Sequence, residues 1–230
     1  MIYTKEYWNL EWASVFEHYQ QDIRHGHYIH AVLRPDEKKI LELGAGSFRD
    51  ASLLNRLGLE CWGVDYSTFA VDSARKLYPQ YAERFHVANI LKMDFPDNSF
   101  DFSYSNGVVG CFNNDDIKSI FKEQCRITRK RIAVTVHNRH NQQFWDYFQK
   151  KKQEDPLYAV RFFLIDEISD ILKQFCTNIT IIPVGKQKKY FEDDLINIGL
   201  SDPVFLKKSF DYHRLNLLDV SERLLCLGEV

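Results

Sequence analysis

The stretch KILELGAGSFRD (residues 39–50) decides the fold of this chain. A short apolar run with one acidic residue stops at two glycines, and a segment with helical spacing follows at once. Glycine permits a positive φ and has no Cβ that would keep a ligand away from the backbone. The stretch therefore predicts a buried strand that turns tightly into a helix, with a ligand close to the turn.

The same alternation of short apolar runs and longer amphipathic runs continues along the chain. The predicted strands are residues 39–43, 59–65, 84–90, 100–108, 130–138, 178–184 and 223–230, and the predicted helices are 49–58, 67–79, 115–128 and 164–175. Strands that alternate with helices pair in parallel, because a parallel pair needs a long crossover connection. We therefore predict an α/β fold with a doubly wound, mostly parallel sheet of seven strands.

The 230 residues fit a single domain, 1–230, with additions around a central core. Residues 1–38 are predicted to form an N-terminal helical cap with an aromatic stripe, and residues 39–138 to form the core that binds a cofactor. A polar, helix-like insertion at residues 185–221 precedes the last predicted strand. Because additions to a shared fold usually set substrate specificity, we expect this insertion to supply part of a substrate pocket.

The composition argues against several classes of function. Thirty Lys and Arg against 32 Asp and Glu leave a net charge of −2, which gives no general attraction for nucleic acid or membrane. Five cysteines without a Cys-x-x-Cys pair argue against a disulfide framework, and His25, His27 and His30 do not share one helical face as metal ligands would. With neither a signal peptide nor a membrane-spanning apolar run, we expect a cytoplasmic protein without a metal.

The type of ligand follows from the glycine turn together with one acid. Asp65 ends the second predicted strand, 19 residues after Gly46, where a carboxylate can accept both hydroxyl hydrogens of a ribose. A dinucleotide site would need a third glycine where Arg49 stands, and Asp50 in the first helical turn would repel a phosphate. These residues favour a zwitterionic or cationic nucleoside over a nicotinamide dinucleotide.

Residues 39–138 resemble the class I S-adenosylmethionine-dependent methyltransferases. ILELGAGSFRD (40–50) resembles the family's first motif, CWGVDYS (61–67) its second, and FHVANILKMDFPDNSFDFSYSNGVV (85–109) its third and fourth, in the right order and spacing. The resemblance implies a Rossmann-like methyltransferase fold with S-adenosylmethionine as the cofactor.

At the methionine end of the cofactor, the resemblance implies that Glu42 orients the amino group. It further implies that backbone groups lie under the methionine part and line the methyl-donor side, those of Gly44, Ala45, Gly46, Ser105 and Asn106.

At the nucleoside end, the resemblance implies that Asp65 holds the ribose hydroxyls and Tyr66 packs on the adenine. Asn89 stands where the family usually has an aspartate that reads the adenine amino group, and an amide oxygen can take that role. Ile90 would offer its backbone N–H to the ring. Phe48 is a second departure, because the family often has a glycine there, and we expect its side chain to narrow the pocket wall.

The acceptor side is less marked in the sequence. A hydroxyl acceptor needs a base, and His137 at the carboxyl end of the fifth predicted strand is the candidate, with His140 a second polar residue nearby. The alternative that His137 only hydrogen-bonds a loop carbonyl stays open. Tyr7 and Trp8 are candidates for substrate contacts from an N-terminal lid, although a packing role serves them as well.

The chain lacks the Asn/Asp-Pro-Pro-Tyr/Phe tetrapeptide after its fourth strand, the signature of methylation at an exocyclic base nitrogen. We therefore expect a small-molecule acceptor with an oxygen or nitrogen nucleophile. Two alternatives stay open: a binding protein that has lost turnover, and a methyltransferase that acts on RNA or protein.

Overall fold

The computed structural model describes residues 4–21, 24–186, 192, 202–213 and 216–230. Its strands are β1 (Lys39–Leu43), β2 (Glu60–Asp65), β3 (Phe85–Val87), β4 (Phe100–Asn106), β5 (Thr128–Asn138), β6 (Phe162–Phe163), β7 (Thr177–Lys186) and β8 (Ser221–Glu229). The α-helices are α1 (Lys5–Tyr19), α2 (Arg24–Val32), α3 (Arg49–Arg56), α4 (Thr68–Leu77), α5 (Asn114–Ile127), α6 (Gln142–Lys151), α7 (Ile165–Leu172) and α8 (Pro203–His213). The 3₁₀ helices within the described ranges occupy Pro79–Arg84, Val108–Cys111 and Pro156–Tyr158.

The strands form one sheet in the order β3-β2-β1-β4-β5-β8-β7, and β6 pairs with β5 beside this path. The pairs from β3 to β5 are parallel, whereas β8 runs antiparallel to both β5 and β7. The predicted α/β class with a mostly parallel sheet is confirmed. The extra strand β6 has two residues, too few for a periodic pattern, and so the sequence did not reveal it.

Helices cover both faces of the sheet because the strands are apolar on both sides. In β1, Ile40 packs in the cluster that includes side chains of α2, α3, α4 and α8, whereas Leu41 and Leu43 pack in the cluster with α5 and α7. Alternate residues of a strand point to opposite faces, so Glu42 lies on the same side as Ile40, toward α3. This alternation brings an acidic side chain under the first turn of α3.

The helix starts follow capping rules that are visible in the sequence. The Ser67 side chain accepts from the Ala70 N–H at the start of α4, and the Asn113 side chain accepts from the Asp116 N–H at the start of α5. Helix α3 differs, because its N-terminal flanking residue is Phe48 in the left-handed region, with φ of 56°, and makes no side-chain cap.

The segments outside the core contain more separate helices than the sequence suggested. The predicted N-terminal helical segment includes two helices, α1 and α2. Within the 185–221 insertion, α8 packs against α2 through a T-shaped contact of Phe210 with Tyr28, whose ring centroids lie 5.6 Å apart. Residues 187–191, 193–201 and 214–215 of that insertion lie outside the described residues. No helix in the described part of the chain combines the length and the apolar character that crossing a bilayer requires.

A buried ion pair fastens the loop before β1 to β5. The Arg131 Nε donates to Glu37 Oε1 at 2.7 Å, and its Nη2 also donates to the Val32 carbonyl at 2.8 Å. Glu37 is fully buried and Arg131 is 8% exposed, so solvent screens this pair little. The pair joins the end of α2 to the centre of the sheet.

We predict that Arg131→Met lowers the free energy of unfolding by about 3–5 kcal/mol, because Glu37 would stay buried without its cation. Lys130→Met is the matched control, since Lys130 pairs with Asp36 on the surface and its loss should leave stability nearly unchanged. Urea unfolding followed by circular dichroism measures both. Equal effects of the two substitutions would contradict the role given to the buried pair.

Candidate cofactor and acceptor site

A cavity of about 440 Å³ opens at the carboxyl ends of β1, β2, β4 and β5. Strand β1 lies between β2 and β4, and the helices that follow β1 and β4 leave toward opposite faces of the sheet. Such a switch point leaves a crevice outside the strand ends, which is where open α/β sheets bind ligands. Ten of the residues predicted from sequence line this cavity: Trp8, Glu42, Gly44, Ala45, Asp65, Tyr66, Asn89, Ile90, Asn106 and His137.

The glycine turn has the conformation that its sequence predicts. Gly44 and Gly46 have φ of 63° and 53°, in the left-handed region that side chains rarely adopt. A Cβ on Gly44 would lie 2.8 Å from the Val108 side chain, and a Cβ on Gly46 would lie 2.0 Å from the Trp12 ring. The turn therefore has no room for side chains, and its second glycine lies directly under α1.

Asp65 connects the end of β2 to the glycine turn. Its Oδ2 accepts from the Gly46 N–H and its Oδ1 accepts from the Ser67 N–H, both at 2.8 Å. Burial raises the pKa of Asp65 to about 6, although these hydrogen bonds oppose the rise. Each carboxylate oxygen can accept a second hydrogen bond, so Asp65 keeps capacity for two ribose hydroxyls.

Glu42 and Asp50 place two buried carboxyl groups at the cavity wall. Glu42 Oε2 accepts from the Ala51 N–H at 3.0 Å, and Asp50 Oδ1 accepts from the Gly26 N–H at 2.9 Å. Burial and the neighbouring Asp50 raise the pKa of Glu42 well above its usual value. A cationic ligand relieves this repulsion and a phosphate increases it, so the wall fits the ammonium end of S-adenosylmethionine and not a pyrophosphate.

Asn89 and Ile90 form the far wall beyond β3. Asn89 Oδ1 accepts from the Leu91 N–H at 3.0 Å, and the Ala88 N–H donates to the Asp65 carbonyl at 2.9 Å. The loop is thus tied to the end of β2, and the Asn89 oxygen retains capacity for one more hydrogen bond.

The side chain of Phe48 corrects the expectation that it narrows the pocket. It is fully buried and packs on Phe85, with ring centroids 4.6 Å apart, and it does not line the cavity. Gly63 in β2 makes room for the ring, because a Cβ there would lie 2.7 Å from Phe48. The positive φ of Phe48 directs its side chain into the core and away from the cavity.

Helix α1 closes the cavity from above and is attached to the core along its length. Asn9 Oδ1 accepts from the Ser67 hydroxyl at 2.8 Å and from the Phe69 N–H at 3.1 Å. Near its end, Gln20 donates to the Ser47 carbonyl at 3.0 Å and accepts from the Tyr78 hydroxyl at 2.6 Å.

A second half of the cavity lies beyond β4 and β5. His137 is 7% exposed and packs among Phe144, Phe148 and Phe162, with ring centroids 5.0–6.1 Å away. Its Nδ1 is buried and has no hydrogen-bond partner among the described residues. Burial, then Arg223 and His25, lower the pKa of His137 well below its usual value, so this imidazole is neutral at pH 7.

Sequence reasoning missed most of this second half. Its walls come from α1, the loop after β4, α6, the segment before β6 and β8, through Trp12, Tyr19, Phe112, Phe148, Tyr158, Val160 and Arg223. The spacing of Phe144 and Phe148 is a helical signal that would have predicted α6. No described residue of the 185–221 insertion lines the cavity.

Four residues predicted for the site do not line the cavity: Tyr7, Gly46, Ser105 and His140. Gly46 contributes through its bond to Asp65, and Ser105 is fully buried in β4. His140 Nε2 accepts from the Ile165 N–H at 3.1 Å, so it caps the start of α7. Tyr7 packs edge-on against Trp8. Within the described ranges, no three His, Cys, Asp or Glu side chains come together as a metal site would require.

We predict that Gly46→Ala loosens α1, because the new Cβ would overlap the Trp12 ring. Gly58→Ala is the matched control: Gly58 also has a positive φ, of 86°, but a Cβ there would meet nothing within 4 Å. Both substitutions add backbone strain of about 1–2 kcal/mol. Hydrogen exchange should show faster exchange of α1 amides in Gly46→Ala alone. Equal protection of α1 in both variants would contradict the contact.

Comparison with known proteins agrees with this geometry. Residues 41–133 match the family model described as a methyltransferase domain. The chain is 25% identical over 160 residues to a sterol 24-C-methyltransferase of Aspergillus fumigatus, an alignment that spans 55% of this chain and 39% of that protein.

Solved structures share the fold at low identity. A Thermotoga maritima S-adenosylmethionine-dependent methyltransferase, described as a possible histamine N-methyltransferase, is 18% identical with a TM-score of 0.63, covering 95% of this chain and 94% of its own. Phosphoethanolamine N-methyltransferase 2 of Haemonchus contortus, in complex with phosphomonomethylethanolamine and S-adenosylhomocysteine, is 14% identical with a TM-score of 0.59, covering 90% of this chain and 52% of its own. Residues 41–133 therefore match a methyltransferase domain, and the chain has the fold of S-adenosylmethionine-dependent methyltransferases of known structure.

Proposed function

We propose that this protein transfers a methyl group from S-adenosylmethionine to an oxygen or nitrogen atom of a small-molecule acceptor. The observation that carries the proposal is a single cavity that holds both sets of residues. The carboxylates and glycines suited to the cofactor line one half, and an apolar, aromatic chamber with His137 forms the other. A cofactor and an acceptor bound in these halves would lie next to each other, as direct transfer requires.

In this proposal each cofactor contact belongs to a named residue. Asp65 accepts hydrogen bonds from the ribose hydroxyls, and Glu42 faces the ammonium group. Asn89 and the Ile90 N–H read the adenine, and Tyr66 packs on its face. When bound, S-adenosylmethionine supplies an activated methyl group on a sulfonium, so the protein has mainly to align the acceptor and exclude water.

His137 is the proposed catalytic residue. It is neutral at pH 7 and can therefore accept a proton from an acceptor hydroxyl. Its Nδ1 has no hydrogen-bond partner in the described part of the chain, which supports a role beyond packing. A Cβ built on Gly107, just past the end of β4, would lie 3.8 Å from His137 Cε1. His137 thus adjoins the strand end that faces the methyl donor in the proposed arrangement.

The N-terminal cap, residues 1–38, is proposed to act as the cover of the site. Trp12 packs over the glycine turn, and Trp8 lines the cavity from the same helix. In this proposal α1 moves aside when the cofactor enters, and its return excludes water from the cavity. The contacts of Asn9 and Gln20 with the core would hold the closed position.

A screen of metabolite extracts tests the acceptor. The protein is incubated with S-adenosylmethionine and fractions of an extract, and release of S-adenosylhomocysteine is followed. We expect release with a small-molecule fraction, and loss of most of that release in His137→Phe, which keeps the aromatic packing but removes both ring nitrogens. Release only with RNA or protein fractions would favour those acceptors. Tight binding without release from any fraction would indicate a binding protein.

The pKa of Asp65 gives a prediction about cofactor affinity. As the pH falls through about 6, the carboxyl gains a proton and loses both its charge and part of its acceptor capacity. S-adenosylmethionine affinity should therefore fall by about tenfold for each pH unit below 6. Asp65→Asn should bind about 1–3 kcal/mol more weakly at pH 7.5 and lose this slope. Calorimetry between pH 5 and pH 8 measures both, and an unchanged slope in the variant would remove the ribose assignment.

A further inference from the structure

The acceptor half of the cavity has an apolar body. Phe112, Phe148, Tyr158, Leu157 and Val160 line it from three segments of the chain. Tyr158 and Phe148 pack against each other with ring centroids 4.9 Å apart, so this wall is aromatic over a continuous area. Such a wall gains free energy by covering an apolar molecule about the size of a ring, and gives nothing to a strongly hydrated one.

The polar end of this chamber is built on the β5–β8 pair. His137 in β5 lies directly opposite Arg223 in the antiparallel register, and both line the cavity. The Arg223 guanidinium lies 5.2 Å from the centre of the Phe144 ring, on which His137 also stacks. The arrangement brings a permanent cation next to the imidazole that adjoins the methyl-donor side.

Among the described residues, the charged groups that shift the pKa of His137 are basic. Arg223 and His25 both lower this pKa, and no described carboxylate opposes them. Two acids also line the cavity: Glu11 lies on α1, and Asp155 precedes the 3₁₀ helix Pro156–Tyr158. Asp155 Oδ1 already accepts a hydrogen bond from the Leu157 N–H at 2.9 Å. An acceptor ammonium at His137 would therefore face a cation, whereas an oxyanion would face its complement.

We infer that the acceptor is an apolar molecule about the size of a ring, whose nucleophile is an acidic oxygen, either a phenolic hydroxyl or a carboxyl group, directed at His137 and Arg223. This inference rests on the proposed function and narrows its acceptor class. Arg223 binds the oxygen as an anion, and the apolar wall holds the rest of the molecule.

The chemistry of this acceptor balances without a further reactant. The acceptor O–H bond breaks before transfer, and its proton leaves to His137 or to solvent. A lone pair of the oxygen forms the new O–CH₃ bond while the S–CH₃ bond of the cofactor breaks, and the sulfonium keeps that electron pair as a neutral thioether. Arg223 stabilises the anion and thereby lowers the pKa of the acceptor O–H. A weak base such as His137 can then accept its proton.

A chromogenic phenol tests the inference without turnover. para-Nitrophenol is titrated with the protein in the presence of S-adenosylhomocysteine, and the phenolate absorbance is followed against pH. We expect the bound phenol to titrate at least about one pH unit below the free phenol, because an opposite charge close by favours the ionised form. Arg223→Met should abolish the shift and Arg223→Lys should restore part of it.

Arg139→Met is the matched control, because Arg139 stacks on Trp145 and does not line the cavity. This variant should lower the pKa of the bound phenol as much as the unsubstituted protein does. Circular dichroism and S-adenosylhomocysteine affinity, both unchanged in Arg223→Met, would show that the variant folds and keeps its cofactor half.

Three ring compounds then separate the acceptor classes by release of S-adenosylhomocysteine: para-nitrophenol, benzoic acid and benzylamine. Turnover of the phenol or of the acid, at least tenfold above that of the amine, supports the inference and identifies which acid is used. Preference for benzylamine, an unshifted phenol, or failure of both acids to bind overturns it. The proposed function fails separately, if no extract fraction of any kind releases S-adenosylhomocysteine.

Discussion

The hydrogen bonds of the Asp65 carboxylate hold the cofactor half of the cavity together. One oxygen accepts from Gly46 in the turn after β1, and the other accepts from Ser67 at the start of α4. Burying a carboxyl group is unfavourable, as its raised pKa of about 6 reflects, and the two backbone donors offset part of that penalty. The loops that meet the ligand are therefore ordered before it arrives, and less ordering has to accompany binding.

The parts of this site that the sequence could predict are those set by neighbouring residues. A few adjacent side chains determine three of these features: the strand of residues 39–43, the positive φ of Gly44 and Gly46, and the capping role of Ser67. The order of strands and helices along the chain then fixes where β1 and β2 end, because the crossovers of a doubly wound sheet leave few alternatives. The cofactor half follows from these local rules.

The acceptor half could not be predicted in this way, because its residues meet only through long-range packing. Arg223 reaches His137 through the antiparallel register of β8, and Trp12 reaches Gly46 only after α1 has docked. Phe48 illustrates the same limit within the motif itself: its position suggested the pocket, but a positive φ and the space above Gly63 direct it into the core. The direction of the Phe48 side chain thus depends on Gly63 in β2, a strand that lies outside the glycine motif.

The two halves of the cavity differ in the charged side chains closest to the proposed reacting groups. Glu42, Asp50 and Asp65 line the cofactor half, whereas Arg223 lies beside the neutral His137 in the acceptor half. With the acceptor class inferred above, each half would hold a ligand of opposite charge, a cation in the first and an oxyanion in the second. Transfer of the methyl group then converts an ion pair into two neutral groups. An apolar chamber stabilises neutral products more than separated charges, so the aromatic wall that selects the acceptor would also favour its reaction.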